Sequence, residues 1–387
     1  METILRVLSE DEKASVHERT LRILAETGVQ VNTEKGRQYL KDAGALVNEN
    51  TKIVRFPRDL VEESLRLAPK KFTLGARRPG WDLPMNAGDC TLMPDGEGIT
   101  IVDRKTGEHR PTTYQDWLES TRLSDALDEV GVYWAMAEPG DGQGSILETI
   151  SHWRKMFRNF SKHIQDSSST AEESRWLLEV LQAVFGDKET IRQKHPYSFL
   201  VCPQSPLIIE GQHTDAYLEL LGWDIPIAVM PMPLMGGTGP GNMISMTILG
   251  NCEVLAMLCL VQAAASGTPF IYAPALAVMN PRTGMLSSGA IENGLLSSAA
   301  IEMGRYYELP VEGSGGGTDT HAPGVQSTLE RAMNAMLPML SWPDLMISAG
   351  LLGGSMILSL EQLVIDAEMF RMSKQAHRGI LTQDEKL

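Results

Sequence analysis

Ile225-Pro-Ile-Ala-Val-Met230 is a short apolar run, and Pro231-Met-Pro-Leu-Met-Gly-Gly237 breaks it off with prolines and glycines. A long helical pattern over 241–266 follows, and then a second apolar run, Pro269-Phe-Ile-Tyr-Ala273. Run, broken loop, helix and run again spell a βαβ unit, and strands apolar on both faces belong to a parallel sheet covered on both sides. Working outward, further runs lie at 131–137, 162–165, 198–202, 309–311 and 345–348. Helical patterns at 146–158, 171–185, 214–221, 290–307 and 324–340 follow or separate them. Seven units are counted and an eighth is not placed. The first βα turn has no GxGxxG fingerprint and the unit count is high for a doubly wound open sheet, so a (β/α)8 TIM barrel is the economical reading.

Upstream the text is different. Ser9 and Glu12 form a capping box, Val16, Leu21 and Leu24 make a buried stripe, and Gly28 stands where a C-cap glycine belongs. A helix over 34–42, a short run at 53–56, a Pro57-led helix and Phe72-Thr-Leu-Gly-Ala76 complete a small mixed region. We expect an N-terminal α/β accessory lobe over 1–90 and a TIM-barrel domain over 91–387. Met93-Pro-Asp-Gly-Glu-Gly98, the run at 99–102 and the Thr-Gly turn inside Asp103–Arg110 are expected to form a hairpin leading into the barrel.

Composition narrows the function. Lys plus Arg number 34 against 49 for Asp plus Glu, a net charge of −15, which excludes the basic footprint of a nucleic-acid binder. Cys90, Cys202, Cys252 and Cys259 include no CxxC pair, so neither a disulfide framework nor a structural zinc site is expected. The N-terminus runs straight into charged residues, and the most apolar window, 254–265, is interrupted by Gln262 and closed by Gly267 and Pro269. A cytoplasmic chain with no membrane partner is therefore expected.

Barrel enzymes build their sites on the loops after the strands, so the residues there are the candidates. Glu138, before Pro139, is either a solvated turn carboxylate or a pocket residue. His163 either points into the barrel or packs beneath a helix, and the pocket is the favoured alternative. Asp166, followed by three serines, reads as a helix cap before it reads as chemistry. Glu312, Asp319 and His321 flank the glycine run 313–317, but as a metal site they lack a ligand from another strand, so no bound metal is expected. Trp134, Tyr272 and, less directly, Trp223 and Trp342 fall near strand ends. Gathered round one cavity, such rings form a cage for a quaternary ammonium ion, worth about 2 kcal/mol or more when desolvated.

Asp103-Arg-Lys-Thr-Gly-Glu-His-Arg-Pro111, Pro233-Leu-Met-Gly-Gly-Thr-Gly-Pro240, Asn251-Cys-Glu-Val-Leu255 and Leu360-Glu-Gln-Leu-Val-Ile-Asp366 resemble the trimethylamine methyltransferase (MttB) superfamily of corrinoid-dependent enzymes. The resemblance covers nearly the whole chain. It implies a barrel that moves a methyl group from a methylated amine to the cobalt of a separate corrinoid protein. No position is written as pyrrolysine, which places the chain among the members resembling the glycine betaine enzyme, with a quaternary amine as substrate. The text stops at Leu387 inside a polar helical pattern where the family continues, so a barrel domain truncated at its C-terminus is expected.

On that resemblance Trp134 and Tyr272 would cage the cation, with Glu138 or Glu312 adding negative potential. His163, Gln165 and Gln204 would bind a substrate carboxylate or ordered water, and His321 with Glu312 would stand nearest the chemistry, His321 at the corrinoid entrance. A quaternary nitrogen already carries the charge that makes an amine a good leaving group, so the protein's work would be positioning and electrostatics. The partners implied are a corrinoid protein, a small quaternary amine and further copies of the chain in a homo-oligomer. The alternative function is a non-catalytic quaternary-amine binding protein, and a metal-dependent barrel hydrolase ranks last.

Overall fold

The computed structural model describes residues 3–138 and 145–380. Eight strands make the barrel: β1 Thr91–Pro94, β2 Val132–Tyr133, β3 His163–Asp166, β4 Tyr197–Val201, β5 Ile227–Val229, β6 Phe270–Tyr272, β7 Glu312–Ser314 and β8 Leu345–Ala349. Strands β2 through β6 pair in parallel as one ladder, and β7, β8 and β1 as another. Parallel bridges at Leu92–Val130 and Tyr272–Val311 join the two ladders at both seams, so the sheet closes on itself among the described residues.

The unplaced eighth strand is therefore β1, and the sequence reading of 91–110 is corrected. Thr91–Pro94 is barrel wall, and the hairpin Thr100–Val102 with His109–Pro111 is an excursion after it. That hairpin joins Leu351–Leu352 and Ile357–Leu358, from the loop after β8, in a four-stranded sheet beside the barrel mouth. The run at 309–311 also moves: Pro310 has no N–H to donate, and β7 begins at Glu312.

A helix follows each strand: α1 Tyr114–Ala126, α2 Ile146–Asn159, α3 Ala171–Phe185, α4 Gln212–Leu218, α5 Met243–Ala264, α6 Ile291–Tyr306, α7 Val325–Ser341 and α8 Leu360–Arg378. Ser145, Thr170, Asn242 and Ser359 cap α2, α3, α5 and α8 with side-chain oxygens, each satisfying a backbone N–H that the first turn leaves free. The capping box at Ser9–Glu12 opens the helix Glu10–Glu26, and Gly28 (φ +80°) ends it, its N–H donated to Ile23 O.

Period-two alternation splits the wall's side chains into two apolar layers. Met93, Val132, Leu200, Ala228, Met230, Ile271, Ala273, Leu345 and Ile347 face inward with Leu74 and Met85, which arrive from the hairpin Thr73–Leu74/Leu83–Pro84 below the barrel. Leu92, Tyr133, Ile164, Phe199, Ile227, Val229, Phe270 and Tyr272 face outward under the helices. Helix α5 is long and apolar enough to cross a membrane, but 89% of its apolar window is buried inside this molecule. The helices Glu10–Glu26, Glu34–Asp42 and Arg58–Leu67 cover its outer side, and Val29–Val31 pairs with Ile208–Ile209 of the loop after β4.

Candidate active site

A cavity of about 570 Å³ opens where β1, β2 and β3 end, lined by Glu97, Tyr114, Glu138, His152, Trp153 and Asp166 among others. Asp166, the last residue of β3, is 9% exposed. Its Oδ2 accepts the Trp153 indole N–H at 3.2 Å and its Oδ1 accepts the Ser167 N–H at 2.8 Å. Burial, and after it the charge of Glu97, raise its pKa to about 7. Glu97 is exposed at the cavity, and desolvation first and the Glu138 charge second push its pKa up. Glu138 is also raised, by desolvation. The three carboxyl groups raise one another's pKa, and none of them is ion-paired among the described residues although Lys155 lines the same cavity, an arrangement that favours an incoming cation.

The cavity also has rings. Tyr114 stacks on Trp117, and the Lys155 ammonium lies 3.9 Å from its ring centroid, so that face already holds a cation. Trp134, in the residue after β2, points inward on the same side of the wall as Val132. Gly96 lies against its ring, where a β-carbon would approach to 3.1 Å, so only glycine fits there without a shift. The buried indole N–H of Trp134 lies beyond hydrogen-bond reach of any described partner, yet it still favours the charged form of Glu97.

Inside the barrel wall, a hydrogen-bonded row crosses the interior. His163 is fully buried, with Nδ1 3.0 Å from Gly75 O and Nε2 2.9 Å from Ser198 Oγ. Ser198 Oγ lies 3.0 Å from Gln165 Oε1, and Gln165 Nε2 lies 2.9 Å from Glu312 Oε2. Glu312 is 2% exposed, its Oε1 has no described partner, and burial raises its pKa to about 7. Burial lowers that of His163 to about 4. Cys202, inward after β4, feels the charges of Glu312 and Glu97, and its thiol is pushed up to about 12, mainly by burial, so it is no nucleophile at neutral pH.

The sequence candidates thus separate. Trp134 and Glu138 stand at the mouth, with Pro139 outside the described residues. His163, Gln165 and Glu312 share the interior row, in the protein rather than in the open cavity. Tyr272 falls on the outward side of β6, where its hydroxyl donates to Asn251 Oδ1 of α5 at 2.9 Å, so the wall separates it from Trp134. Gln204 is exposed in the tight turn closed by its backbone pair with Ile208. His321 is exposed beside His109, ring centroids 6.0 Å apart. Asp319 accepts the Ser288 N–H, and no three His, Cys, Asp or Glu side chains among the described residues gather as a metal site. Trp342 stacks on His377 and Trp223 receives Lys188, both before strands rather than after them.

Asp166 does not cap α3, since Thr170 does. Asp166 is the last residue of β3 and, two residues after outward-facing Ile164, turns toward α2, where it meets Trp153. Glu97 and Tyr114 were missed because Thr91–Pro94 was not read as a strand, which hid the first strand end from view, and His152 and Trp153 were missed because they lie on the helix α2 rather than at a strand end.

A model of the family described as trimethylamine methyltransferase (MTTB) matches residues 2–387. The trimethylamine methyltransferase MttB of Desulfitobacterium hafniense is 29% identical over 379 residues, 98% of this chain and 76% of that protein. A glycine betaine methyltransferase of the same species is 29% identical over 378 residues, 96% of this chain and 78% of that protein. The crystal structure of the Methanosarcina barkeri monomethylamine methyltransferase (MtmB) superposes with a TM-score of 0.61 at 12% identity, covering 96% of this chain and 79% of that one, a likeness of fold.

Proposed function

Because the chain belongs to the trimethylamine methyltransferase (MTTB) family and is a methyltransferase for methylated amines, we propose that it moves a methyl group from a quaternary amine of the glycine betaine kind to the Co(I) of a separate corrinoid protein. The observation that carries this reading is the cavity at the barrel mouth, where Glu97, Glu138 and Asp166 converge with Tyr114 and Trp153, Trp134 lies next to Glu97, and no lysine or arginine among the described residues pairs with the three carboxyl groups, Lys155 standing over the Tyr114 ring instead.

A permanent cation entering there replaces its lost hydration with carboxylate charge and ring faces. Glu97 and Asp166 fix the nitrogen from two strand ends, Trp134 closes the inner side, and the walls exclude water. The corrinoid, when its carrier is bound, supplies the cobalt nucleophile that accepts the methyl group. As the carbon–nitrogen bond breaks, the positive charge on nitrogen vanishes. The tertiary amine left behind has lost its permanent charge and is positive again only after it takes up a proton.

The loops round the mouth suit a partner carrying a bulky, largely apolar group. Ile99, Met232, Met285, Leu286, Val325 and Met356 are all exposed on segments that follow barrel strands. His321 stands among these loops, at the corrinoid entrance in this reading. The same proposal takes the chain as a cytoplasmic homo-oligomer divided into an accessory lobe over 1–90 and a barrel over 91–387.

The test supplies the full chain, a reduced corrinoid protein and a panel of quaternary amines. Conversion of the Co(I) spectrum to that of methyl-Co(III), dependent on one amine, is expected. No conversion with any amine sinks the transfer reading, and calorimetric binding of a betaine without conversion would leave a binding protein in its place.

A further inference from the structure

The carboxyl groups make one pole of the mouth cavity, and a cation stands at the other. Among the described residues that line it, Lys155 is the one lysine or arginine, against the carboxyl side chains of Glu97, Glu138, Glu148, Asp166 and Glu173. It belongs to α2, whose positions 148, 149, 152, 155 and 156 all line the cavity at the three-to-four spacing of one helix face. Its ammonium forms no ion pair among the described residues and lies instead 3.9 Å from the centroid of the Tyr114 ring. That ring is a fixed platform. Tyr114 opens α1 behind the Thr113–Asp116 capping box and stacks on Trp117, which is fully buried and packs in turn on His152, centroids 4.6 Å apart. Lys155 reaches the platform on a flexible four-carbon stem, so the lysine is the partner that is free to move.

An ammonium over an aromatic face is the arrangement by which such a cavity holds a methylated ammonium ion, so Lys155 already fills one cation seat of the site. A plain cation that enters shares the chamber with a second positive charge and brings nothing to offset it. A zwitterion brings a carboxylate. The lysine then exchanges its ring contact for a charge-assisted hydrogen bond in a partly dehydrated chamber, the stronger of the two interactions. We propose that Lys155 is a resident cation on the Tyr114 ring that selects zwitterionic substrates: the carboxylate of a betaine draws the ammonium off the ring, so that a zwitterion is compensated at both ends while a plain cation is opposed. The two poles also orient the substrate, with its quaternary nitrogen toward Glu97 and Asp166 at the strand ends and its carboxylate toward α2. Lys155 is thus a specificity-determining residue. This deepens the quaternary-amine reading above and rests on it for the cationic end of the substrate.

The test uses the full chain at pH 8 and two ligands of one shape: glycine betaine, and betaine amide, which keeps the trimethylammonium head and carries no negative charge. Calorimetry is expected to show the wild type binding betaine more tightly. In Lys155→Met, which keeps an apolar stem and bares the Tyr114 ring, the betaine Kd is expected to rise about tenfold or more while the amide Kd falls by a factor of several, so that the preference inverts. Lys155→Arg is expected to restore the preference for betaine. A merely structural role moves both constants in the same direction by the same factor, and that result overturns the proposal, as does a wild type that prefers the amide. A second measurement stands apart from affinity. With 13C-labelled lysine, the Lys155 side-chain signals, assigned by their loss in Lys155→Met, are expected to be shifted upfield by the Tyr114 ring in the free protein and to return to the ordinary lysine position with betaine but not with the amide. Unshifted signals in the free protein overturn the proposal whatever binds. If neither ligand binds to the wild type or to Lys155→Met, the quaternary-amine reading falls and takes this selection with it; if both bind and the ring shift persists, that reading stands and the selection by Lys155 falls alone.

Discussion

Asp166 shows how one buried carboxyl couples stability to binding. Its folded pKa of about 7 lies above the ordinary aspartate value of 3.8, so between those values the folded chain holds a proton that the unfolded chain has released. Its contribution is most favourable below about pH 4 and is lost as pH rises through about 7. Asp166→Asn removes the penalty, and urea unfolding should show the variant more stable than wild type at pH 8 by on the order of 1–3 kcal/mol, with no difference at pH 4. Binding pays in the opposite direction: calorimetry should show the Kd for a quaternary amine rising about tenfold in the same variant, and wild-type affinity increasing with pH through about 7. Trp134→Ala removes the inner ring face, and the Kd for a betaine should rise by a factor of several, about 1–2 kcal/mol. An unchanged Kd would take Trp134 out of the site. Trp134 and Glu138 were legible as strand-end residues, but Tyr272 was misplaced, because alternation along Phe270-Ile-Tyr-Ala273 puts Ile271 and Ala273 inside and Tyr272 outside.

At the scale of an element, α5 explains why a buried helix carries polar residues. Asn251, fully buried, donates to Thr20 Oγ1 at 2.9 Å and to Tyr307 Oη at 2.8 Å, and accepts from Tyr272. It ties the helix Glu10–Glu26, the strand β6 and the end of α6 at one point. Glu253, two residues on, accepts from Ser205 Oγ and the Leu207 N–H, both 2.8 Å, and fixes the turn after β4. Asp366 on α8 does the same for the end of β8, accepting from Gly350 N–H and pairing with buried Arg331 at 2.9 Å. The polar positions of Asn251–Leu255 and Leu360–Asp366 therefore hold the loops of the mouth rather than the substrate. Asn251→Ala leaves two tyrosine hydroxyls and a cavity behind, and should destabilise the chain by about 3–5 kcal/mol in urea unfolding while leaving the amine Kd of the folded fraction unchanged. That α5 is a long apolar helix was visible in its sequence, but Met243–Ala264 is long enough to cross a membrane, and only its burial within the fold makes it a core helix. Its three-way polar junction was not visible, because each partner lies far away in the chain.

For the whole molecule, closure of the barrel makes one rim out of loops distant in sequence. Met232 and Met285 come from the loops after β5 and β6, which Leu234–Met235 and Ala277–Val278 stitch together in parallel. Met285→Glu adds a charge to an exposed apolar rim without touching the cavity. Methyl transfer to the corrinoid protein should fall about tenfold or more, through a raised KM for that partner, while transfer to free reduced cobalamin and the amine Kd should not change. Equal losses with both acceptors would place Met285 in the chemistry instead.

Local composition and periodicity determined most of the strands, the helices and their alternation, and from these the barrel, since apolar period and cap chemistry act over a few neighbouring residues. The capping box at Ser9 and Glu12, Gly28 and the approximate helix boundaries were readable for the same reason. Only the tertiary structure decided that Thr91–Pro94 completes the wall, that Glu97, Glu138 and Asp166 meet, that Tyr272 is turned away, and that His163 reaches Glu312. These are distances between strands far apart in the chain, and they depend on where a closed sheet brings its two edges together.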